Sequence, residues 1–237
     1  MPQLFKSIIA TLALLLLTGA PLQAATIAVI GTGDVGGTLG PRLAELGHIV
    51  VYGSRTPEAE RVRELVQRTP GRASAASQSG AAAAAEIVIL AVPASVAVAV
   101  TEGLGDLDGK LVIDPTNPFR FTDDRLAVRT IGDSMTQRIQ QAAPGARVVK
   151  AFNTVSYQTM ADPAIAGGPV TIPLAGDDAG AKEEVAELVR ALGFEAMDVG
   201  PARYAREIEG MLILWMNARL NGRGFDYHLR PTPDGGL

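Results

Sequence analysis

Cysteine is absent, and histidine occurs only at His48 and His228. The first absence excludes disulfides, cysteine metal sites, a lipoprotein anchor and a thiol nucleophile. The second leaves no histidine-rich metal centre, and no serine–histidine–acid set stands at a meaningful spacing. The net charge is −4 and no basic stripe interrupts the chain, so nucleic acid is not an expected partner. Nor is there a twin-arginine pair near the N-terminus, which points any export toward the general secretory route. Against these absences stand 237 residues, 47% of them hydrophobic and 19% charged. That suits one large domain, or one domain with a small appendage, with a filled core rather than a disordered chain.

The first 24 residues differ from the rest. Lys6 precedes an apolar run from Ile8 to Leu17, Thr18-Gly19-Ala20-Pro21 breaks it, and Leu22-Gln23-Ala24 offers small residues for a peptidase. This three-part build predicts a signal peptide over residues 1–24, with an uncleaved N-terminal anchor as the alternative. The corresponding locations are a secreted or periplasmic mature chain, or a membrane-anchored one facing the cytoplasm.

From Thr26 onward strand-like and helix-like segments alternate, the signature of an α/β fold around a parallel sheet. The patterning predicts strands at 26–30, 48–52, 72–74, 86–92, 110–114 and 147–152. The helices between them are predicted at 35–46, 57–66, 77–85, 93–104 and 130–143. Six strands in residues 26–153 match the size of a doubly wound dinucleotide-binding domain. The expected division is therefore 25–154 for that domain and 155–237 for a small C-terminal α/β portion. In that portion the pattern predicts strands at 170–174 and 195–199, helices at 179–192 and 202–220, and a polar, turn-rich tail. The run Met211–Met216, "MLILWM", reads as core packing, with a dimer face as its alternative.

Gly31-Thr32-Gly33-Asp34-Val35-Gly36 fits G-x-G-x-x-G between a predicted strand and a predicted helix, the context in which this pattern has meaning. Gly31 permits a tight turn, Gly33 lets the backbone approach a pyrophosphate, and Gly36 lets helix and strand pack closely. The phosphates would lie on the helix N-terminus. An NAD site commonly carries an acid at the end of the second strand. Here that place holds Gly53-Ser54-Arg55, and a guanidinium and a hydroxyl attract a 2′-phosphate that an acid would repel. The preference read from these residues is NADP(H) over NAD(H). "AVP" at 91–93, "PTNP" at 115–118 and "AFNT" at 151–154 follow the fourth, fifth and sixth strands, whose carboxyl ends line the nicotinamide crevice. Val92 and Pro93, Asn117, Ala151 and Asn153 are thus expected around the cofactor, with Phe152 bordering the ring. Asp114 reads as a brace for its loop, Asp123 and Asp124 as a solvated turn, and no catalytic side chain is assigned. Without an evident acid–base residue, hydride transfer to a ring that delocalises charge fits better than reduction of a carbonyl.

"IAVIGTGDVGGTLGPRLAELGHIVVYGSRTPE", "ILAVP", "IDPTNP", "VVKAFNTVS", "PLAGDDAGAKEEVAELVRALGFEAMDVGPARYAREIEG" and "NGRGFDYHL" together resemble the NADPH-dependent deazaflavin (coenzyme F-420) reductase family. They are also similar to the cytosolic reductase domain of six-transmembrane ferric metalloreductases. The likeness covers roughly residues 26–228. It implies a doubly wound parallel Rossmann sheet, a homodimer, and hydride transfer between NADP(H) and a flavin or deazaflavin, a small-molecule electron acceptor. It further implies pyrophosphate contact at Thr32–Val35, 2′-phosphate contact at Ser54 and Arg55, and Pro93 and Ala151 flanking the nicotinamide. Two departures stand out. Some deazaflavin reductases carry a lysine soon after the arginine, where this chain has Glu58-Ala59-Glu60-Arg61, leaving Arg61 as the substitute. They also carry a histidine where this chain has Asn153, and "KAFNT" is closer to the metalloreductase branch. The competing readings are a reductase of small imines or acids and a non-catalytic NADP(H)-binding redox sensor. The first predicts a long helical C-terminal domain, although only about 80 residues follow Asn153.

Overall fold

The computed structural model describes residues 24–232, so the signal-like segment 1–23 lies outside the described residues. The chain order is β1 (Thr26–Ile30), α1 (Asp34–Glu45), β2 (Ile49–Gly53), α2 (Glu60–Arg68), β3 (Ala73–Ala76), α3 (Gln78–Ala83) and β4 (Ile87–Ile89). It continues with α4 (Ala94–Glu102), β5 (Leu111–Asp114), the hairpin β6 (Phe119–Phe121) and β7 (Ala127–Arg129), α5 (Met135–Ala142) and β8 (Arg147–Lys150). A short α6 (Tyr157–Ala161), β9 (Thr171–Gly176), α7 (Ala179–Ala191), β10 (Glu195–Asp198) and α8 (Ala205–Leu220) complete it.

Eight strands form one sheet in the order β10-β9-β8-β5-β4-β1-β2-β3, parallel except where β9 runs antiparallel to β8. The strands alternate their apolar residues between two faces, as a period of two requires. Ile27 and Val29 of β1 join a core with Leu39 and Leu43 of α1 and Val185 and Val189 of α7. Ala28 and Ile30 join the opposite core with Ala81 of α3, Ala97 of α4 and Ile139 of α5. Helices thus cover both faces, and the chain reverses direction across the sheet between β1 and β4. Above that switch point lies the crevice used for ligands in open parallel sheets.

Several boundaries differ from the patterning. Pro57 lies in a turn, and α2 begins at Glu60 because Ala59, still extended, is its N-cap. The 130–143 segment is a helix only from Met135, where Ser134 and Gln137 close a capping box. Residues 119–129 form a β-hairpin that the patterning misses, its two strands being only three residues each. The largest correction concerns "MLILWM". Only Leu212 of that run is buried, while Leu214 is 66% exposed. The core-packing expectation therefore holds only in part: α8 meets the body along Ala205, Ile208 and Leu212, its Met211, Ile213, Trp215 and Met216 are half-buried, and Leu214 and Leu220 are exposed. The C-terminal portion carries no long helical domain among the described residues, since its longest helix is the 16-residue α8.

Candidate active site

The glycine loop is built as the motif requires. Gly31 has φ +107°, and a Cβ there would lie 2.2 Å from the Ala91 carbonyl oxygen. A side chain at Gly36 would meet the Gly31 oxygen at 2.1 Å, so the first turn of α1 packs onto the loop only as glycine. Gly33 is the N-cap of α1, and the space beside its α-carbon is empty to 4 Å. Unpaired N–H groups of the helix start are therefore open to an anion. Asp34 and Val35 follow in the first turn of α1.

Beside this loop is a cleft of about 470 Å³. It brings Gly31, Thr32 and Gly33 together with Ser54 and Arg55 at the end of β2 and with Val92 and Pro93 after β4. Arg61 and Gln78 also line it, so a second guanidinium faces the same space as Arg55. Arg55 is exposed, whereas Ser54 is buried and its hydroxyl accepts the Thr56 N–H at 3.1 Å. Pro93 caps the N-terminus of α4.

The remaining expected residues stand apart from that cleft, at the ends of β5 and β8. Asn117 and Asn153 are interlocked: Asn153 Nδ2 donates to Asn117 Oδ1 at 2.9 Å, and Asn117 Nδ2 donates to the Asn153 carbonyl at 3.0 Å. Asn153 Nδ2 also reaches the Ile208 carbonyl of α8 at 3.2 Å, while its Oδ1 is buried with no partner among the described residues. Ala151 is fully buried between them. Phe152 is a correction. Its backbone has φ +61°, its ring is buried, and it packs edge-on against Phe194 with centroids 6.4 Å apart. The ring belongs to the core.

Directly below these loops lies a cluster that the sequence reading missed. Lys150, Asp114 and Glu209 are buried to within 1% of completeness. Lys150 Nζ lies 2.7 Å from Asp114 Oδ2 and 3.0 Å from Glu209 Oε1, and it donates to the Thr116 carbonyl at 2.7 Å. Asp114 Oδ1 accepts the Thr116 N–H at 2.8 Å and its hydroxyl at 2.7 Å, while Oδ2 accepts Thr136 Oγ1 at 2.8 Å. The bracing role expected for Asp114 is thus what its hydrogen bonds do. Glu209 accepts the Met135 N–H at 2.8 Å and faces Arg129 at 3.4 Å. Burial raises the Glu209 carboxyl above its ordinary range, more than Lys150 and the Met135 N–H lower it, and the nearby Asp114 charge adds to the rise. A lysine inside the otherwise apolar "VVKAF" was the signal available for this cluster, since a buried lysine requires carboxylate partners.

A second, open cleft of about 830 Å³ runs between α4 and α5. Pro118 and Phe119, directly after Asn117, form part of its wall, with Ser95, Thr130 and Met135. The Arg138 guanidinium at its rim is paired with Asp133 at 2.8 Å and holds that carboxyl below the usual range by hydrogen bonding. The histidines take no part. His48 sits at the opposite edge of the sheet, where Nδ1 accepts the Ala25 N–H at 3.2 Å, and His228 faces Glu195 at 3.3 Å. Among the described residues no group of histidine, cysteine and carboxylate side chains could hold a metal ion.

The chain is similar to several known proteins. Residues 26–118 match the family described as NADP oxidoreductase, coenzyme F420-dependent. The F420-dependent NADP reductase of Methanothermobacter marburgensis is 34% identical over 83% of this chain and 93% of its own length. Metalloreductase STEAP3 of Rattus norvegicus is 32% identical over 82% of this chain, which spans 38% of the metalloreductase's length. A crystal structure of a candidate F420-dependent NADP reductase from Arthrobacter sp. FB24 superposes with a TM-score of 0.80 at 33% identity, covering 88% of this chain and 100% of that one. The chain belongs to the F420-dependent NADP reductase family and is an NADP(H)-dependent oxidoreductase.

Proposed function

We propose that the protein transfers a hydride between NADP(H) and a flavin or deazaflavin of the coenzyme F-420 type. One observation carries this reading. The cationic cleft for the adenosine end leads to loops whose nearby ionisable groups, Asp114, Lys150 and Glu209, are buried and paired with one another. None of these three is free to hand a proton to an alkoxide, which a carbonyl substrate needs. A ring acceptor spreads the incoming charge over itself and asks the protein chiefly for alignment.

The residues present fit the cofactor. The open space at Gly33 and the N-terminus of α1 would take the pyrophosphate. Ser54, Arg55 and Arg61 would hold the 2′-phosphate through charge-assisted hydrogen bonds. Val92 and Pro93, in the same cleft, would flank the ring, with the loops of Asn117 and Asn153 bordering it. When bound, NADPH supplies the hydride. The chain's own work is to bind, to orient and to exclude water. The relatives named F420-dependent NADP reductases support the deazaflavin, and the open cleft beside Pro118 is the side from which an acceptor ring reaches the nicotinamide loops.

The test is a panel of acceptors offered to the purified chain with NADPH: coenzyme F-420, flavins, cyclic imines and keto acids. Turnover of a ring acceptor is expected. Tight NADPH binding with turnover of the imines alone, or of nothing, overturns the reading.

Two further features concern α8 and the N-terminal segment. We propose a homodimer formed on α8, because Leu214, Trp215 and Leu220 leave apolar surface outside the body. Light scattering should give twice the chain mass, and Leu214→Glu should give the monomer. We also propose export directed by residues 1–24, with an N-terminus near Ala25 outside the cytoplasm by mass spectrometry. An intact segment on the inner membrane face would favour the anchor instead.

A further inference from the structure

The Lys150 cluster is costly to bury and does not touch either cleft, so its presence asks for a reason. A buried ion pair is often no more stabilising than apolar side chains of the same volume. Its distinctive property is geometric: each charge must find its partners at fixed places. Here β5 and β8 pair with Asp114 opposite Lys150, and alternation turns both side chains to the same face of the sheet. Thr136 of α5 and Glu209 of α8 meet them there.

The bonds lead to the two asparagine loops. Lys150 Nζ holds the Thr116 carbonyl, and Asn117 is the next residue. Ala151 and Asn153 follow Lys150 in the chain. Ile208, whose carbonyl receives Asn153 Nδ2, precedes Glu209, which receives Lys150. One ammonium therefore ties the loop after β5, the loop after β8 and the helix α8 into one frame. Through Glu209 the same frame reaches the Met135 N–H at the start of α5 and Arg129 of the hairpin.

We propose that Lys150 is a positioning residue for hydride transfer. Its ammonium sets the placement of the Asn117 and Asn153 loops against the nicotinamide, and Glu209 makes that placement depend on α8. The proposal rests on the reading that these loops flank the nicotinamide. A misplacement of one ångström in such a frame costs about a hundredfold in rate while leaving distant binding contacts intact.

The experiment separates the two ends of the cofactor. The variant combines Asp114→Asn, Lys150→Met and Glu209→Gln, which removes all three charges together and avoids stranding a buried carboxylate. Its melting temperature should stay within about 5 °C of the parent. Its affinity for 2′,5′-ADP, a probe of the Arg55 end alone, should change by less than roughly twofold. The fluorescence enhancement of bound NADPH, which reports an immobilised nicotinamide, should be lost, and kcat should fall about 10–100-fold. Wild-type fluorescence and kcat in the folded variant overturn the proposal. So does a parallel loss of 2′,5′-ADP binding, which marks a general structural effect. Should the triple variant fail to fold, Glu209→Gln alone keeps the Lys150–Asp114 pair. It should lower kcat and the nicotinamide fluorescence by about threefold with 2′,5′-ADP binding unchanged. Parent-like values there overturn the dependence on α8. A parent protein that binds NADPH with no nicotinamide signal refutes the loop placement itself, and the proposal with it, whatever acceptor is turned over.

Discussion

The two ends of the proposed cofactor crevice are built on opposite principles. At the adenosine end, the loop after β2 and the first turn of α2 carry Arg55 and Arg61 into an open cleft, where each guanidinium meets solvent and is free to take a phosphate. At the nicotinamide end, charge is withdrawn from solvent altogether: Lys150, Asp114 and Glu209 are sealed beneath loops whose asparagines bond to each other. The difference follows from what each end must do. Phosphate affinity comes from exposed cations and backbone N–H groups that exchange water for an anion. Alignment of two rings comes from rigidity, which a saturated buried network supplies and flexible surface side chains do not.

Four changes test that contrast. Lys150→Met alone should have the largest effect, because it leaves two buried carboxylates facing each other. Loss of about 3–5 kcal/mol in urea unfolding is expected. A loss below about 1 kcal/mol would place the cluster among surface ion pairs and erase the distinction. Arg55→Ala should weaken 2′,5′-ADP binding about 10–100-fold by calorimetry, the worth of charged hydrogen bonds, with stability unchanged. Equal loss of affinity for 5′-AMP would show that Arg55 does not read the 2′-phosphate. Arg61→Ala should cost less, about 3–10-fold for the same probe, if Arg61 shares the phosphate with Arg55 rather than standing apart from it.

The smallest effect concerns pH. Burial raises the Glu209 carboxyl, so the folded chain holds that proton more tightly than the unfolded one. Its contribution to stability is fully present below roughly pH 4.3, the ordinary glutamate value, and is lost as pH rises through the raised folded value. Glu209→Gln should flatten that part of the stability profile, measured by thermal melts across acid pH. A profile with the same slope as the parent would place the titration elsewhere.

The adenosine end was legible from residue order because its parts are local. Gly31, Gly33 and Gly36 are read from one loop, and for Gly31 and Gly36 the steric reason is visible: a Cβ at either would lie 2.2 or 2.1 Å from a carbonyl oxygen, too close for a methyl group. Ser54 and Arg55 sit one strand later, at a spacing the fold class dictates. The strands too were readable, since continuous apolar runs such as Ile87–Leu90 belong to parallel sheets buried on both faces. What was misread depended on long-range contacts. "MLILWM" has the composition of a core helix, yet which side of α8 meets the body is set by Ala205, Ile208 and Leu212 packing near β9. Phe152 lies next to site residues in the chain, but its positive φ turns the ring into the core against Phe194.

Sequence alone determined the fold class, the glycine loop and the preference for a 2′-phosphate, because periodicity, turn chemistry and the charge of a neighbouring side chain act over a few residues. Only the tertiary structure decided that Lys150 answers Asp114 and Glu209, residues 36 and 59 positions away in the chain. A buried ion network is a property of packed distance: at a few ångströms in a dry interior these groups bind one another, and no spacing along the chain announces it.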